Sequence, residues 1–458
     1  MKEKIKYTGI ELMGIAPVGK AIINLALPMI VAMLAQAVYS LTDMFFIGQT
    51  GNPNMLAAVS LAFPIFMLSQ AIGNIFAIGG SSYISRKLGE KQESTALHTS
   101  SVSFYIALFA GILISIVLYI FRNPIIWIIG ASDATFGFTQ DYFQIIVLSI
   151  GFATTGVVMS GIMRSEGAAK NAMILQLIGI ILNILFDTIF ILGLNMGTTG
   201  AALATVIGQG ASFIYGIYYF ASKKSILSIR LPDFKPDKPI MGQILSIGIP
   251  AGASSIIMSV SNILCNRIAA SYGDYVVAGY GVQMRIASII FMIVLALAMG
   301  YQPFAGYNYG AKQFLRLRQG FKLTLIYSSV LCIIGSFVLW LFGPDLIRFF
   351  INDIPTIEAG AVMLRVFIWG LPFIGAQMTL MVSFQALGKP IQAMIITLGR
   401  QLLFYIPLLY LLNYTFGFSG FIWAQPIADI LTTIIAIVLG LSLFKILRDT
   451  DSVFSNQI

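Results

Sequence analysis

Unbroken apolar runs of about 20 residues recur along the whole chain, and no other feature limits its fold as strongly. Each run is about as long as an α-helix needs to be to cross the hydrocarbon core of a bilayer. Only 10% of the 458 residues are charged, whereas roughly 25% is usual in soluble domains. Membrane β-strands would instead alternate polar and apolar residues over about ten positions. The sequence therefore predicts an all-α polytopic membrane protein.

The distribution of basic residues predicts how these helices are oriented. Most Lys and Arg residues lie at the chain ends and in every second loop, and only Arg122 and Arg348 lie in the opposite loops. Because basic loops stay on the cytoplasmic side, we expect both termini to be cytoplasmic. The net charge of +9 is spread over these loops, so we expect no nucleic-acid partner. The twelve predicted transmembrane helices cover residues 21–47, 56–82, 98–121, 141–163, 172–194, 199–220, 244–270, 276–303, 320–343, 360–385, 393–414 and 418–444.

An internal repeat divides the chain into two halves. INLALPMI in the first half matches ILSIGIPAG in the second, and RSEGAAKNAMI matches FQALGKPIQAMI, at a shift of about 221 residues. Two pseudo-symmetric six-helix lobes around a central cavity are typical of alternating-access transporters, although a duplication with no mechanistic role would leave the same pattern. The predicted parts are an N-terminal segment 1–20, an N-lobe 21–220, a cytoplasmic linker 221–243, a C-lobe 244–444 and a C-terminal tail 445–458.

Three aspartates lie well inside predicted helices, namely Asp43, Asp187 and Asp429. A carboxylate is costly in hydrocarbon, so such residues normally face a cavity and have a function. The predicted topology puts Asp43, Asp187 and Thr205 at one level, with the aspartates roughly 7 to 10 Å from the outer helix ends. Asn183 lies one helical turn before Asp187 on the same face. Buried carboxylates of this kind can take up and release a proton near physiological pH. The alternative is an Asn–Asp pair that only bonds its helix to a neighbour.

The C-lobe carries fewer functional signals. We expect Asp429 to face an arginine of that lobe, with Arg285 and Arg400 as candidates, and a second proton site is the alternative. Pro28 is a candidate hinge, because a proline inside a helix removes a backbone hydrogen bond. The predicted cavity-facing residues are Gln36, Tyr39, Ser40, Gln70, Asn74, Gln176, Gln283 and Met284.

Several motifs resemble the multidrug and toxic compound extrusion (MATE) family. They are LPMIVAMLAQAVYSLTDMFFIGQTG in helix 1, RSEGAAKNAM after helix 4, N-x-x-x-D in helix 5 and G-x-x-G-A-A in helix 6. The chain looks most similar to the bacterial branch related to DNA-damage-inducible protein F and the staphylococcal multidrug exporter A. Met258 stands where the branch related to norfloxacin exporters usually has a glutamate. This difference favours a coupling site in the first lobe over one in the second.

The resemblance implies a secondary antiporter that exports lipophilic, often cationic compounds in exchange for protons, in the bacterial inner membrane. It implies that the coupling site consists of Asp43, Asn183, Asp187 and Thr205. A sodium-coupled antiporter and a flippase for lipid-linked sugars are the alternatives. The implied partners are small-molecule drugs or toxic organic cations and the lipid bilayer, and the expected state is a monomer.

We expect no enzymatic activity, no cofactor and no metal site. The chain has no HExxH motif, and its only histidine is His98, which we expect to be a solvated loop residue. Cys265 and Cys332 fall in separate apolar runs, so no structural disulfide is expected.

Overall fold

The computed structural model describes residues 7, 9–222 and 224–455. Residues 1–6 and 8 of the predicted N-terminal segment, Lys223 of the linker and residues 456–458 of the tail lie outside the described residues. Within the described part, eleven helical stretches are long and apolar enough to span a membrane. The last stretch, Pro390–Leu441, contains two helices, because Gly417 adopts φ 58° and interrupts the helical backbone. These residues therefore form the twelve transmembrane helices that the sequence predicts.

The helices are numbered in chain order. They are α1 (Val18–Gly48), α2 (Pro53–Gly89), α3 (Glu93–Ile120), α4 (Asp133–Ser165), α5 (Ala169–Gly193), α6 (Gly197–Ala221), α7 (Lys238–Ala270), α8 (Asp274–Gly310), α9 (Phe314–Phe350), α10 (Ile354–Ala386), α11 (390–416) and α12 (418–455). Further short helical segments lie at Gly9–Gly14 and Arg122–Ile128.

Local sequence explains where some helices begin and bend. α4 begins about two turns earlier than predicted, at Asp133, because Ser132 and Thr135 form a reciprocal capping box at its start. α2 is interrupted at Ala62, just before Pro64. Pro28, by contrast, lies inside the continuous helix α1. The hinge role of Pro28 stays a prediction.

Helices α1–α6 and α7–α12 form two lobes that meet mainly through α2 against α7 and α8, and through α1 against α8. Glycines permit the close approach. A Cβ at Gly79 would collide with the carbonyl oxygen of Ile244, and one at Gly248 would collide with the carbonyl oxygen of Ile75. These crossings lie where α2 ends and α7 begins. We call this end of the bundle, which carries most of the basic loops, the basic end.

The outward faces of the lobes are apolar. Large side chains such as Phe109, Trp340 and Leu403 are each more than 60% exposed. Contiguous apolar surface of this kind is avoided by soluble monomers and is stable against acyl chains. The fold therefore presents its outer surface to lipid and keeps its polar residues for the interior.

Candidate functional site

A cavity of about 520 Å³ lies between the two lobes. Helices of both lobes contribute to its wall, and Met and Phe side chains alternate there with amides and hydroxyls. Of the predicted cavity residues, the wall includes Gln36, Tyr39, Gln70, Asn74 and Gln176.

Three predicted cavity residues lie elsewhere. Ser40 is exposed and donates a hydrogen bond back to the carbonyl oxygen of Gln36, 3.0 Å away. Gln283 and Met284 line a much smaller pocket inside the C-lobe, together with Tyr280 and Tyr405. The rotation of α1 and α8 about their own axes turns these side chains away from the central cavity, and helix rotation follows from packing rather than from the local sequence.

The close contact of α5 and α6 builds the first-lobe site. A Cβ at Gly208 would lie 2.5 Å from the carbonyl oxygen of Gly179, so only glycine allows the two backbones to touch there. One turn further along α5, Asn183 donates from Nδ2 to the hydroxyl of Thr205, at 3.1 Å. The Thr205 hydroxyl in turn donates to the carbonyl oxygen of Ala201. Asn183 and Thr205 both line the central cavity.

Asp187 lies directly behind this pair. Its side chain is fully buried, and neither carboxylate oxygen has a hydrogen-bond partner among the described residues. Asp43 on α1 is partly buried and close enough to act on Asp187 electrostatically. The Oδ1 atom of Asn183 is also buried and has no hydrogen-bond partner among those residues. The structure thus brings together all four residues predicted for the coupling site.

The MatE family model matches residues 28–189 and, a second time, residues 250–411. Each match spans most of one lobe, and together they cover more than half of the chain. The chain belongs to the MATE family. It is a multi-pass membrane transporter and not an enzyme, and the family match favours an exporter over the flippase alternative.

Relatives and solved structures agree with the assignment. The chain is 32% identical over 424 residues to the multidrug export protein MepA of Staphylococcus haemolyticus, with 93% of each chain covered. It is 30% identical over 443 residues to MepA of Staphylococcus aureus, with 97% of each covered. A solved structure described as the outward-facing conformation of a multidrug resistance MATE family transporter has a TM-score of 0.90 at 26% identity, and the match covers 97% of this chain and 100% of that one.

Tyr142 is a residue of this candidate site that the sequence did not predict. This residue of α4 is 9% exposed, and its phenol lies within electrostatic reach of Asp43 and Asp187. Tyr39 of α1 lies within electrostatic reach of the same two aspartates. The predicted helix began at residue 141, which placed Tyr142 at a helix end, where an aromatic residue is ordinary. The capping-box residues Ser132 and Thr135 would have predicted the earlier helix start, which places Tyr142 inside the membrane-spanning helix.

Arg164 was also misjudged. The sequence places it in a basic loop, but it is 4% exposed, lies in the last turn of α4 and lines the central cavity. Its Nη1 atom donates to Ser160 Oγ at 2.8 Å. The cavity wall therefore carries a buried cation at the basic end.

In the C-lobe, the expected pairing of Asp429 with an arginine is present. Nε of Arg400 lies 2.7 Å from Oδ1 of Asp429, which also accepts a hydrogen bond from Gln425 at 3.0 Å. Arg400 lines the central cavity, whereas the other candidate, Arg285, is exposed. Short π-helical turns at Thr188–Gly193 and Gly399–Tyr405 lie beside Asp187 and at Arg400. Such turns are frequent at functional sites.

The linker is tied to the N-lobe through Glu166, which lies between α4 and α5 and is 4% exposed. Its carboxylate accepts hydrogen bonds from the hydroxyls of Tyr219, at 2.7 Å, and Ser225, and from the amide of Ile226. Burial raises the pKa of Glu166, although these hydrogen bonds favour its charged form. His98 is partly buried rather than solvated, with Nδ1 3.0 Å from the carbonyl oxygen of Asp233 in the linker.

Proposed function

We propose that this chain is a multidrug exporter that exchanges lipophilic compounds for protons by alternating access. Asp43, Asn183, Asp187 and Thr205 form its coupling site. This proposal rests mainly on the fully buried carboxylate of Asp187. It lies behind cavity-lining residues and has no hydrogen-bond donor among the described residues. A charged group buried without a partner is costly. A proton removes that cost, so the site is suited to load and release one.

The coupling is direct because the ion site and the cavity share a wall. Asn183 and Thr205 face the cavity, and one turn of α5 connects Asn183 to Asp187. Asn183 can donate to or accept from Asp187 in either protonation state, because an amide carries both kinds of group. A compound that contacts Asn183 therefore changes the free energy of protonating Asp187. Protonation of Asp187 in turn changes the cavity surface to which the compound binds.

The same donor set also fits a hard cation. The two carboxylates, the free Oδ1 of Asn183 and the Thr205 hydroxyl are oxygen ligands of the kind that sodium prefers. Sodium coupling is accordingly the alternative, and it predicts that transport follows the sodium gradient at fixed pH.

The proposal includes an orientation. Basic loops cluster at the end where the lobes are in contact, which we assign to the cytoplasm together with both termini. The cavity is then closed toward the cytoplasm, as expected for an outward-facing transporter, and a solved relative of TM-score 0.90 is described as outward-facing. We assign the protein to the bacterial inner membrane, where it would work as a monomer.

The test is efflux of ethidium and rhodamine 6G from proteoliposomes energised by a pH jump. Asp43→Asn and Asp187→Asn should each abolish pH-driven efflux while the purified protein keeps its elution profile. Replacing sodium by choline at fixed pH should leave wild-type efflux unchanged. Full efflux in both variants would refute the assignment of the coupling site. Loss of efflux in choline would show that sodium, not the proton, is the coupling ion.

A further inference from the structure

The charges on the cavity wall do not match a simple cation. Among the described residues that line the cavity there is no aspartate and no glutamate, but there are two arginines, Arg164 and Arg400. Arg400 is neutralised by Asp429, 2.7 Å away. The net charge of the wall therefore depends on whether Arg164 is neutralised as well.

Within the described part of the chain, no carboxylate forms an ion pair with Arg164. The acidic residue nearest in sequence is Glu166, whose oxygens are occupied by Tyr219, Ser225 and the amide of Ile226 on the linker side. Arg164 is nevertheless buried, because only 4% of its surface is exposed. The wall thus keeps one uncompensated positive charge, although burying such a charge is unfavourable.

The surroundings of Arg164 hold its guanidinium in place. Ser160, one turn earlier on α4, accepts from Arg164 Nη1 at 2.8 Å and from Gln176 Nε2 at 3.3 Å. All three residues line the cavity. A guanidinium has five N–H donors in a planar fork, and Ser160 uses only one of them. The others suit bidentate binding of a carboxylate, to which the Gln176 amide can add a donor.

This polar group lies far from the coupling site. Arg164 is in the last turn of α4, and Asn183 is fourteen residues into α5, so about 20 Å separate the two levels. Apolar side chains at intermediate positions along α4 and α5, namely Val157, Leu175 and Ile180, line the cavity between these two levels. An elongated apolar molecule with an acidic group at one end would place that group at Arg164 while its body contacts this wall.

We propose that Arg164, oriented by Ser160 and supported by Gln176, binds a carboxylate of the exported compound. The cavity then selects zwitterionic or anionic amphiphiles over cations of the same shape that lack an acidic group. The inference rests on the proposed export function and names the substrate class of that cavity.

A matched pair of dyes tests it, namely rhodamine B, which has a free carboxylate, and its methyl ester, which is a plain cation. Fluorescence anisotropy with the purified full-length protein in detergent gives the ratio of the two affinities. We expect the wild type to bind the acid at least fivefold more tightly than the ester, and Arg164→Gln to bind the two dyes with about equal affinity. Arg164→Lys, which keeps the charge but not the fork, should retain part of the preference.

Two further variants keep the test decisive. Ser160→Asp puts a carboxylate against Arg164 and should also remove the preference for the acid, even if Arg164→Gln does not fold. Arg267→Gln removes an exposed arginine outside the cavity and should leave the ratio unchanged. An unchanged ratio in both Arg164→Gln and Ser160→Asp would overturn the inference. Ester efflux driven by a pH jump in wild-type proteoliposomes would then still support the proposed function, and its absence would count against that function separately.

Discussion

Substituting one glycine at the lobe interface should shift the transporter toward its other conformation. A Cβ at Gly248 would lie 2.7 Å from the carbonyl carbon and 3.0 Å from Cα of Ile75 on α2. Carbon atoms pack best at roughly 3.5 to 4.0 Å, so Gly248→Ala requires the lobes to separate there by roughly 1 Å. Overpacking of this kind costs about 1–3 kcal/mol. If the whole penalty falls on the conformation closed at the basic end, its population relative to the open one falls about 5- to 150-fold.

Cysteine labelling measures this shift. Ser82 lies at the closed basic end, is fully buried, and donates a hydrogen bond to the carbonyl oxygen of Gln385 on α10. In a background with Cys265 and Cys332 replaced by alanine, Ser82→Cys should react slowly with a maleimide. Adding Gly248→Ala should raise the labelling rate at least fivefold, because opening the basic end exposes the thiol.

The matched control is Gly242→Ala on the same helix, where an added Cβ meets no atom of the described residues within 4 Å. This variant should label at the rate of the parent. Equal labelling rates for Gly248→Ala and Gly242→Ala, with both proteins folded, would show that the glycine contact does not hold the lobes closed.

Three further predictions concern individual contacts. Asn183→Leu removes the amide that donates a hydrogen bond to Thr205, and pH-driven dye efflux in proteoliposomes should fall at least tenfold. Unchanged efflux would show that the amide is not needed for coupling. Asp429→Ala leaves the partly buried Arg400 guanidinium without its partner, which should destabilise the protein by about 3–5 kcal/mol in thermal unfolding. Arg400→Met in the same chain should recover most of that loss, and an unchanged stability of Asp429→Ala would contradict this prediction. Glu166→Ala deprives buried hydroxyl and amide donors of their acceptor, costs about 1–3 kcal/mol, and should make the linker more sensitive to trypsin, whereas equal cleavage rates would contradict the tie.

The sequence was sufficient for the architecture, because length and hydropathy decide it. An apolar run of bilayer length can only be a helix in lipid, since every backbone group must be bonded internally. The break between α11 and α12 was equally predictable, because Gly417 falls between two apolar runs and adopts φ 58°. The coupling residues could be grouped by depth alone: counting residues from the helix ends placed Asp43, Asp187 and Thr205 at one level.

What could not be predicted depends on helix rotation and on tertiary burial. Gln283 is a reasonable cavity residue by depth, but α8 turns it into the C-lobe. Arg164 lies next to basic loop residues in the sequence, and only the folded structure shows that it is buried at the cavity wall. Tyr142 was lost through a helix start placed eight residues too late. In each case the residue type indicated a possible functional role. The residues that surround it in the fold depend on tertiary packing, which the local sequence does not determine.

The central claim is that Asp187 exchanges a proton for the exported compound, and proton release on binding tests it most directly. Rhodamine 6G is added to purified protein in a weakly buffered detergent solution that contains a pH indicator dye. The wild type should release protons in step with dye binding, and Asp187→Asn should bind the dye without releasing any. Equal proton release from both proteins, or binding to the wild type with no release across its working pH range, would contradict the account.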